Sequence, residues 1–309
     1  MKLVSFRYKQ RVTFGVFEDG AIYDLHNLDS TIANNILDFL KGGESQMLLA
    51  KNAIDKNSPS ISIDDVELIS PVPNPPSVRD AYAFRQHVET ARKNRGLEMI
   101  SEFDEIPIFY FTNHNAIFGE GDFPILSMHN QKLDFELECA AVIGKGGRNI
   151  SKNNADSHIA GFMIMNDLSA RVLQMQEMKL NLGPAKGKDF GSTFGPWLVT
   201  KDELISYKKA SPEGDRYDLK MQGFVNDTKV SEDSMINMTW TFAEIIERVS
   251  YGVDIFPGDI IGSGTCGTGC FLELNGSKIT DNQWLQPDDI VSLEIEGLGK
   301  LNNRIVLSE

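Results

Sequence analysis

Three acidic residues alternate with apolar ones in one short stretch of this chain: Asp134, Glu136 and Glu138. In a β-strand, side chains alternate between the two faces, so all three carboxylates would point the same way. Carboxylates two residues apart then lie roughly 7 Å from each other and repel unless a proton or a cation lies between them. The small and apolar residues 139–143 predict that the strand enters a core, where unpaired carboxylates are costly. A metal ion would neutralise them, although a solvated acidic strand face explains this stretch equally well when it is taken alone.

A second group of candidate residues surrounds Asp167, an acid at the end of an apolar segment. Residues 160–166 predict a strand ending on Asp167, and residues 169–178 predict a helix on which Arg171 and Gln174 share a face. An acid at a strand end with a cation on the next helix is a common active-site layout. An N-cap aspartate with a surface ion pair explains the same residues in isolation.

A carboxylate and an imidazole occur together in residues 77–92. Ser77 and Asp80 have the spacing of a helix start. If that helix continues, Asp80 and His87 are seven residues apart and share a face. For this segment alone, a capping aspartate and a surface histidine is the favoured interpretation.

Two glycine-rich segments carry further candidates. Residues 186–199 include Lys188 but lack the Gly-Lys-Ser/Thr of a nucleotide-binding loop. Residues 262–269 include Thr265, and their glycines let the backbone approach a ligand closely. The following residues, 271–275, predict an apolar strand that holds one acid, Glu273.

The elements that must position these residues are mostly short strands separated by Gly and Pro turns, which predicts a β-rich α+β fold. Residues 1–70 predict a small N-terminal module with a helix over 31–41 that Gly42 and Gly43 end. Four prolines in residues 71–76 mark a boundary, so the second domain is predicted to span 71–309. Within it we expect a hairpin over 219–231, an amphipathic helix over 241–249 and strands over 290–295 and 303–307.

The net charge narrows the classes of molecule that this chain could bind. The 309 residues carry a formal net charge of −14, which argues against non-specific binding to nucleic acid or to an anionic membrane. It leaves a small anionic substrate possible, because a local cationic pocket can outweigh a distant field. The N-terminus has no apolar signal region and no stretch approaches the roughly 20 apolar residues of a membrane span, so a cytoplasmic location is expected. Three cysteines, Cys139, Cys266 and Cys270, indicate neither a disulfide framework nor a zinc site.

Taken together, the motifs identify a family. From about residue 72 to its end, the chain resembles the fumarylacetoacetate hydrolase family. The matching blocks are Arg79-Asp80-Ala81-Tyr82 with Arg85-Gln86-His87, Leu133 to Glu138, Met165 to Arg171 with Gln174, Gly187-Lys188 with Phe190, Gly195-Pro196-Trp197, and Gly262 to Thr265. The resemblance implies a rolled, mixed β-structure with flanking helices, usually as a homodimer.

The resemblance also implies a metal site. It assigns four carboxylates as ligands: Asp80, Glu136, Glu138 and Asp167. Hard oxygen donors of this kind select Mg²⁺, or else Mn²⁺ or Ca²⁺, over zinc and copper. Four carboxylates around one divalent ion leave two negative charges, which Lys188 and Arg171 would offset.

The implied chemistry is carbon–carbon bond hydrolysis in a 1,3-diketo acid, with fumarylacetoacetate giving fumarate and acetoacetate. His87 would be the general base and Glu273 would orient it. Arg171, Gln174 and Lys188 would stabilise an oxyanion, and Tyr82, Tyr110 and Thr265 would contact the substrate. Arg92 or Arg95 could bind the substrate carboxylate, since no arginine matches the family pattern clearly.

Two alternatives stay open at this point. Relatives with the same fold decarboxylate, tautomerise, isomerise or dehydrate 2-oxo acids, or hydrolyse acylpyruvates. The His87 and Glu273 pair favours the hydrolase over these. A non-catalytic protein that binds a divalent cation would need the carboxylates alone.

Overall fold

The computed structural model describes residues 1–308 as a strand-rich α+β chain with flanking helices, which confirms the predicted fold class. The strands are β1 (Lys2–Tyr8), β2 (Arg11–Glu18), β3 (Ala21–Asp24), β4 (Ile61–Ser62), β5 (Glu67–Ile69), β6 (Val78–Ala81), β7 (Phe109–Thr112), β8 (Ile117–Phe118), β9 (Gly121–Ile125), β10 (Leu133–Asp134), β11 (Leu137–Ile143), β12 (Gly147–Arg148), β13 (Ile159–Asn166), β14 (Ser169–Ala170), β15 (Ser192–Thr200), β16 (Lys208–Lys209), β17 (Arg216–Tyr217), β18 (Lys220–Val225), β19 (Thr228–Ser234), β20 (Asp254–Ile255), β21 (Ile260–Gly262), β22 (Ile290–Ile295) and β23 (Gly299–Leu307). The α-helices are α1 (Leu25–Leu28), α2 (Ile36–Lys41), α3 (Gly43–Lys56), α4 (Arg85–Lys93), α5 (Lys152–Ala155), α6 (Arg171–Met178), α7 (Phe242–Val249) and α8 (Phe271–Gly276).

A 12-stranded mixed sheet forms the centre of the fold. Its main path runs β4-β3-β2-β1-β15-β13-β11-β21-β6-β7, while β5 pairs with β1 and β8 pairs with β15. Strand β11 is buried along its whole length, which is why its sequence is a nearly unbroken apolar run. The ends of β11, β13 and β6 carry the acids Glu138, Asp167 and Asp80, so this sheet positions the candidate site.

A five-stranded sheet, β19-β18-β22-β23-β9, packs on the first one. Its Leu293, Leu301 and Ile305 belong to the same apolar core as Phe162 and Ile164 of β13. The predicted hairpin is present as β18 and β19, and the predicted helix is α7, which starts with a capping box between Thr241 and Glu244.

The strands of residues 1–70 belong to the large sheet. Strand β1 pairs with β15, with Leu3 opposite Leu198. Phe14 and Phe39 lie in one core cluster with Val142 and Phe194, so the two sides of the predicted boundary share apolar surface. The boundary at residue 70 falls between β5 and β6.

The structure corrects the prediction of a continuous helix over 77–92. Residues 78–81 form β6, which is parallel to β21 on one side and antiparallel to β7 on the other. Only the later part is helical, as α4. Asp80 is therefore a strand residue, and pairing with two distant strands overrides the local helix signal.

Two further boundaries differ from the predictions. The helix expected over 31–41 begins only at Ile36, after the N-cap Asn35. It ends at Lys41 as predicted, with Gly42 as its C-cap, and Gly43 then starts α3. The acidic stretch is interrupted between β10 and β11, at Phe135 and Glu136. Asp134 and Glu136 nevertheless both accept hydrogen bonds from Arg171, so the interruption does not place them on opposite sides.

Residues 271–275 are helical, so the predicted strand around Glu273 is wrong. They form α8, and the backbone N–H groups of Phe271 and Leu272 donate to the Asp134 carboxylate at 2.7 and 2.9 Å. A cap supplied from 137 residues away satisfies the helix end and leaves no local sequence signal.

None of the helices within residues 1–308 combines the length and the apolar character that crossing a membrane requires.

Candidate active site

A cavity of about 1350 Å³ opens over the acid-bearing strand ends, between α4, α6 and α8. It brings together nine of the residues singled out from the sequence: Asp80, Tyr82, His87, Tyr110, Glu136, Arg171, Gln174, Lys188 and Thr265. The other three, Glu138, Asp167 and Glu273, are buried and contact residues of this wall. One cavity therefore contains or adjoins every predicted site residue.

Three carboxylates from three strands meet beneath the cavity. Oxygen atoms of Asp80, Glu138 and Asp167 all lie within 4.8 Å of one another. Gly262 of β21 separates the strands that carry Asp80 and Glu138, and it pairs with Asp80 on one side and Ala140 on the other. A Cβ atom at Gly262 would lie 2.4 Å from Asp80 Oδ1 and 3.0 Å from Glu138 Oε2. Only glycine leaves room for these two acids to approach each other.

Crowding and burial favour the protonated forms of this cluster. Burial, with the nearby Asp167 charge, raises the pKa of Asp80 to about 7. Burial, with the Asp80 charge, also raises the pKa of Glu138 well above its usual range. Burial raises the pKa of Asp167 although Lys188 acts against it. A set of buried acids with raised pKa values is a candidate functional site.

The cluster fits a hard divalent cation. Among the described residues, Glu138 Oε2 is buried and has no hydrogen-bond partner. Buried polar atoms are normally satisfied, and three converging carboxylates offer oxygen ligands of the kind Mg²⁺, Mn²⁺ and Ca²⁺ take. Asp80, Glu138 and Asp167 are thus the residues that would hold the ion.

Glu136, the fourth predicted ligand, sits in an ion-pair network beside the cluster. Lys188 Nζ donates to both Glu136 and Asp167, and Arg171 Nη2 donates to Glu136 Oε1 at 2.7 Å. Although burial opposes ionisation, Arg171 and Lys188 lower the pKa of Glu136. Glu136 is therefore ionised and neutralised by two cations, and Lys188 links it to the carboxylate cluster.

Two of the predicted substrate contacts, Tyr110 and Thr265, line the cavity and also hydrogen-bond the acids. The Tyr110 hydroxyl donates to Asp167, and the Thr265 hydroxyl lies 3.4 Å from Glu138 Oε1. Ser192 Oγ adds a third donor, 3.3 Å from Asp167 Oδ1. Tyr82 remains free for a substrate, with its ring 5.8 Å from the His87 ring in an edge-on arrangement.

An imidazole and a carboxylate form a buried pair on the cavity wall. His87 Nδ1 of α4 lies 2.7 Å from Glu273 Oε2 of α8. Because an ionised carboxylate only accepts hydrogen bonds, this contact suits the tautomer with its proton on Nδ1, which leaves Nε2 available as a base. The pair has the arrangement of a general base and its orienting acid.

The backbone of Thr268 supports this pair, a role that no residue type or spacing in the sequence indicates. Its N–H donates to Glu273 Oε1 at 3.0 Å, so both carboxylate oxygens are held. Thr268 has a φ of +61°, which is uncommon for a β-branched residue. Asp233 Oδ2 fixes the loop by accepting the Gly267 N–H at 2.6 Å. The strained turn thus sets the direction of the glutamate.

Asp134 is a supporting residue rather than part of the metal cluster. It accepts from Arg171 Nε at 2.8 Å as well as from the start of α8. Arg171 also donates to Gln174 Oε1 at 3.0 Å, so most of its donors are already engaged. Asp134 therefore connects the α8 that carries Glu273 to the α6 that carries Arg171.

Arg92 and Arg95, the two arginines considered for the substrate carboxylate, line the cavity at the end of α4. Their Nε groups donate to the backbone oxygens of Glu98 and Ala91.

The fold and the site together define an enzyme-like centre in which a cluster of carboxylates and a His–Glu pair adjoin one cavity. Residues 77–306 match the family described as fumarylacetoacetate (FAA) hydrolase, C-terminal, and the chain belongs to this enzymatic family.

Comparison with individual proteins supports the assignment. The chain is 30% identical over 311 residues to human oxaloacetate tautomerase FAHD2A, mitochondrial, covering 99% of this chain and 92% of the relative. It is 37% identical over 180 residues to fumarylacetoacetase of Arabidopsis thaliana, covering 48% and 42% of the two chains. Its fold matches a fumarylacetoacetate hydrolase structure from psychrophilic Exiguobacterium antarcticum with a TM-score of 0.77, 27% identity and full coverage of both chains.

Proposed function

We propose that this protein is a divalent-metal-dependent tautomerase that interconverts the enol and keto forms of a small 2-oxo acid of the oxaloacetate type. The observation that carries the proposal is the 30% identity to an oxaloacetate tautomerase along 99% of this chain, whereas the match to a fumarylacetoacetase covers 48% of it. The His87–Glu273 pair and the carboxylate cluster adjoin the same cavity, an arrangement that both reactions can use. Tautomerisation is one of the alternatives that the sequence left open, and it is better supported than fumarylacetoacetate hydrolysis.

His87 is the proton carrier in this proposal. In the keto-to-enol direction, Nε2 takes a proton from C3 of the substrate, and the C–H electron pair becomes the C2–C3 double bond while the C2 oxygen becomes an enolate. The proton then passes from Nε2 to that oxygen, which completes the enol. Glu273 stabilises the imidazolium between the two transfers and keeps Nε2 directed at the substrate.

Charge near the reacting oxygen is the second requirement. An ion bound by Asp80, Glu138 and Asp167 would supply positive charge that stabilises an enolate. Lys188 adds a fixed cation in the same wall, held by Glu136 and Asp167. Gln174 and Tyr82 line the cavity where they could orient the carboxylate of the substrate.

Hydrolysis of a 1,3-diketo acid is the second candidate. The same His87 Nε2 could take a proton from water, which would attack a carbonyl and release the other fragment as an enolate. The identity of 37% to a fumarylacetoacetase over 180 residues favours this reading. Both reactions need an enolate, so the cation site alone does not separate them.

A direct comparison of two substrates separates the candidates. Metal-stripped protein reloaded with Mg²⁺ would be mixed with enol oxaloacetate and, separately, with fumarylacetoacetate. Faster loss of the enol absorbance, without cleavage of the diketone, is the result expected of a tautomerase. Release of fumarate and acetoacetate, with no change in the enol decay, would overturn it in favour of the hydrolase.

A further inference from the structure

Part of the cavity wall has no role in the proposed proton transfer. Its apolar members are Met175 and Met178 of α6, Leu272, Ile279 and Trp284, and the same lining also holds the polar residues Asn275, Lys278, Asp281 and Asn282. A four-carbon dicarboxylic acid offers these apolar side chains nothing to contact. The cavity of about 1350 Å³ is also larger than the roughly 300–1,000 Å³ typical of small-molecule sites. Both features point to a substrate with more than a polar head.

Helix α6 relates this wall to the reacting centre. Arg171, Gln174, Met175 and Met178 follow the three- and four-residue spacing of one helix face, and all but the methionines are polar. Arg171 contacts Glu136, whereas Met178 is seven residues further, a rise of about 10 Å along the helix. The face therefore changes from ionic to apolar with distance from the carboxylates.

The apolar wall is incompletely covered. Met178 is 42% exposed and Ile279 is 63% exposed, although both border a cavity. The indole N–H of Trp284 is satisfied by Asn282 Oδ1 at 2.9 Å, and Lys132 Nζ lies 5.6 Å from the ring centroid, while the rest of the ring is apolar. Methionine adapts its shape to an irregular apolar partner. Such a wall gains free energy when an apolar group covers it.

We propose that the site also accepts 2-oxo acids that carry an apolar tail of several carbons, and that Met175, Met178 and Trp284 bind that tail. The chemistry of the 2-oxo head rests on the proposed function, whereas the tail rests on the apolar wall. The carboxylates and His87 act on the head, and α6 directs the tail away from them.

The test measures binding rather than turnover. Oxamate and its N-ethyl, N-butyl and N-hexyl derivatives are unreactive mimics of a 2-oxo acid with increasing tails. Their dissociation constants for the Mg²⁺-loaded protein would be measured by titration calorimetry. Because a buried methylene contributes about 0.8 kcal/mol, affinity should rise roughly fourfold per methylene that reaches the wall. The same affinity along the series, or no binding by any member, would overturn the proposal.

Alanine variants of residues in the apolar wall test where the tail binds. Met178→Ala and Trp284→Ala should each reduce the ratio of the oxamate to the N-hexyl-oxamate dissociation constant by about tenfold, because each removes several apolar contacts. Met128→Ala is the matched control, since Met128 is 54% exposed and lies outside the cavity. An unchanged ratio in both cavity variants would contradict the assignment of the wall.

The proposed tail-binding wall and the proposed tautomerase activity can be refuted independently of each other. A steep oxamate series without acceleration of enol oxaloacetate decay would remove the tautomerase and keep the tail site. Acceleration of that decay with a flat series would keep the tautomerase and remove the tail.

Discussion

At the scale of single residues, the main feature of the site is a group of carboxylates that are buried close together. Asp80, Glu138 and Asp167 converge, and only Lys188 among the described cations contacts this trio. Burial and repulsion keep the pKa values of Asp80 and Glu138 high. An added cation would relieve this repulsion, so the residue scale favours a metal site and gives Lys188 a neutralising role.

The first prediction separates the ligands from their neighbours. Glu138→Gln should weaken Mg²⁺ binding by at least about tenfold, because it removes a converging charge. Glu136→Gln should weaken it less, because Lys188 and Arg171 already neutralise Glu136. Titration calorimetry checks both, with the exposed Glu67→Gln as control. An equal or larger loss in Glu136→Gln would place Glu136 among the direct ligands.

The second prediction concerns the tautomer of His87. Glu273→Gln should lower kcat by about 10²–10⁴, because the amide can donate to Nδ1 and leave the proton on Nε2. Metal affinity should stay unchanged, since Glu273 is outside the carboxylate cluster. Steady-state kinetics and calorimetry on the same preparation test both statements. Full activity in Glu273→Gln would rule out the orienting role.

At the scale of elements, the site depends on short segments fixed by distant partners. Helix α8 exists where the sequence predicts a strand, because Asp134, 137 residues earlier in the chain, caps its first turn. The loop before it is fixed by Asp233 through the Gly267 N–H. The position of Glu273 is therefore set by two carboxylates that lie far from it in sequence.

The third prediction tests whether Asp134 holds α8 in place. Asp134→Ala should lower the free energy of unfolding by about 3–5 kcal/mol, because it leaves the buried Arg171 without one of its partners. It should also lower kcat by displacing α8. Urea unfolding measures the first effect, with Glu67→Ala, which removes an exposed ion pair with Arg7, as the control. Equal midpoints for the two variants would contradict the capping role.

The sequence predicted residues better than elements. The resemblance to the family, rather than spacing alone, selected Asp80, His87 and Glu273, because the local pattern of residues 77–92 by itself favours a capping aspartate and a surface histidine. The helix expected over 77–92 and the strand over 271–275 are wrong, because β6 is formed by pairing with β21 and β7, and α8 by a remote cap. The apolar wall at Met175 and Met178 could have been anticipated from their spacing after Arg171.

At the scale of the whole molecule, the site rests on one continuous sheet. Strands from residues 1–70 cover β15 and complete the core around Val142 and Phe194, directly beside the acid-bearing strands. The mixed sheet is what brings Asp80, Glu138 and Asp167 from three distant parts of the chain to one point.

The fourth prediction follows from that continuity. A chain starting at residue 71 should be insoluble or lack a cooperative thermal transition, because β15 loses its β1 neighbour and Phe194 loses its cover. The full chain should show one transition. Circular dichroism and calorimetry compare the two. A soluble, cooperatively folding 71–309 chain would instead make residues 1–70 an independent module.

The proposed tautomerase reaction requires His87 to transfer a proton next to a bound cation. The most direct measurement is the decay rate of enol oxaloacetate with wild-type protein and with His87→Ala, each metal-stripped and then supplied with Mg²⁺. The decay rate should rise with Mg²⁺ in wild type and stay at the spontaneous level in His87→Ala, while both proteins bind Mg²⁺ equally. A His87→Ala protein that accelerates the decay as well as wild type does would contradict this requirement.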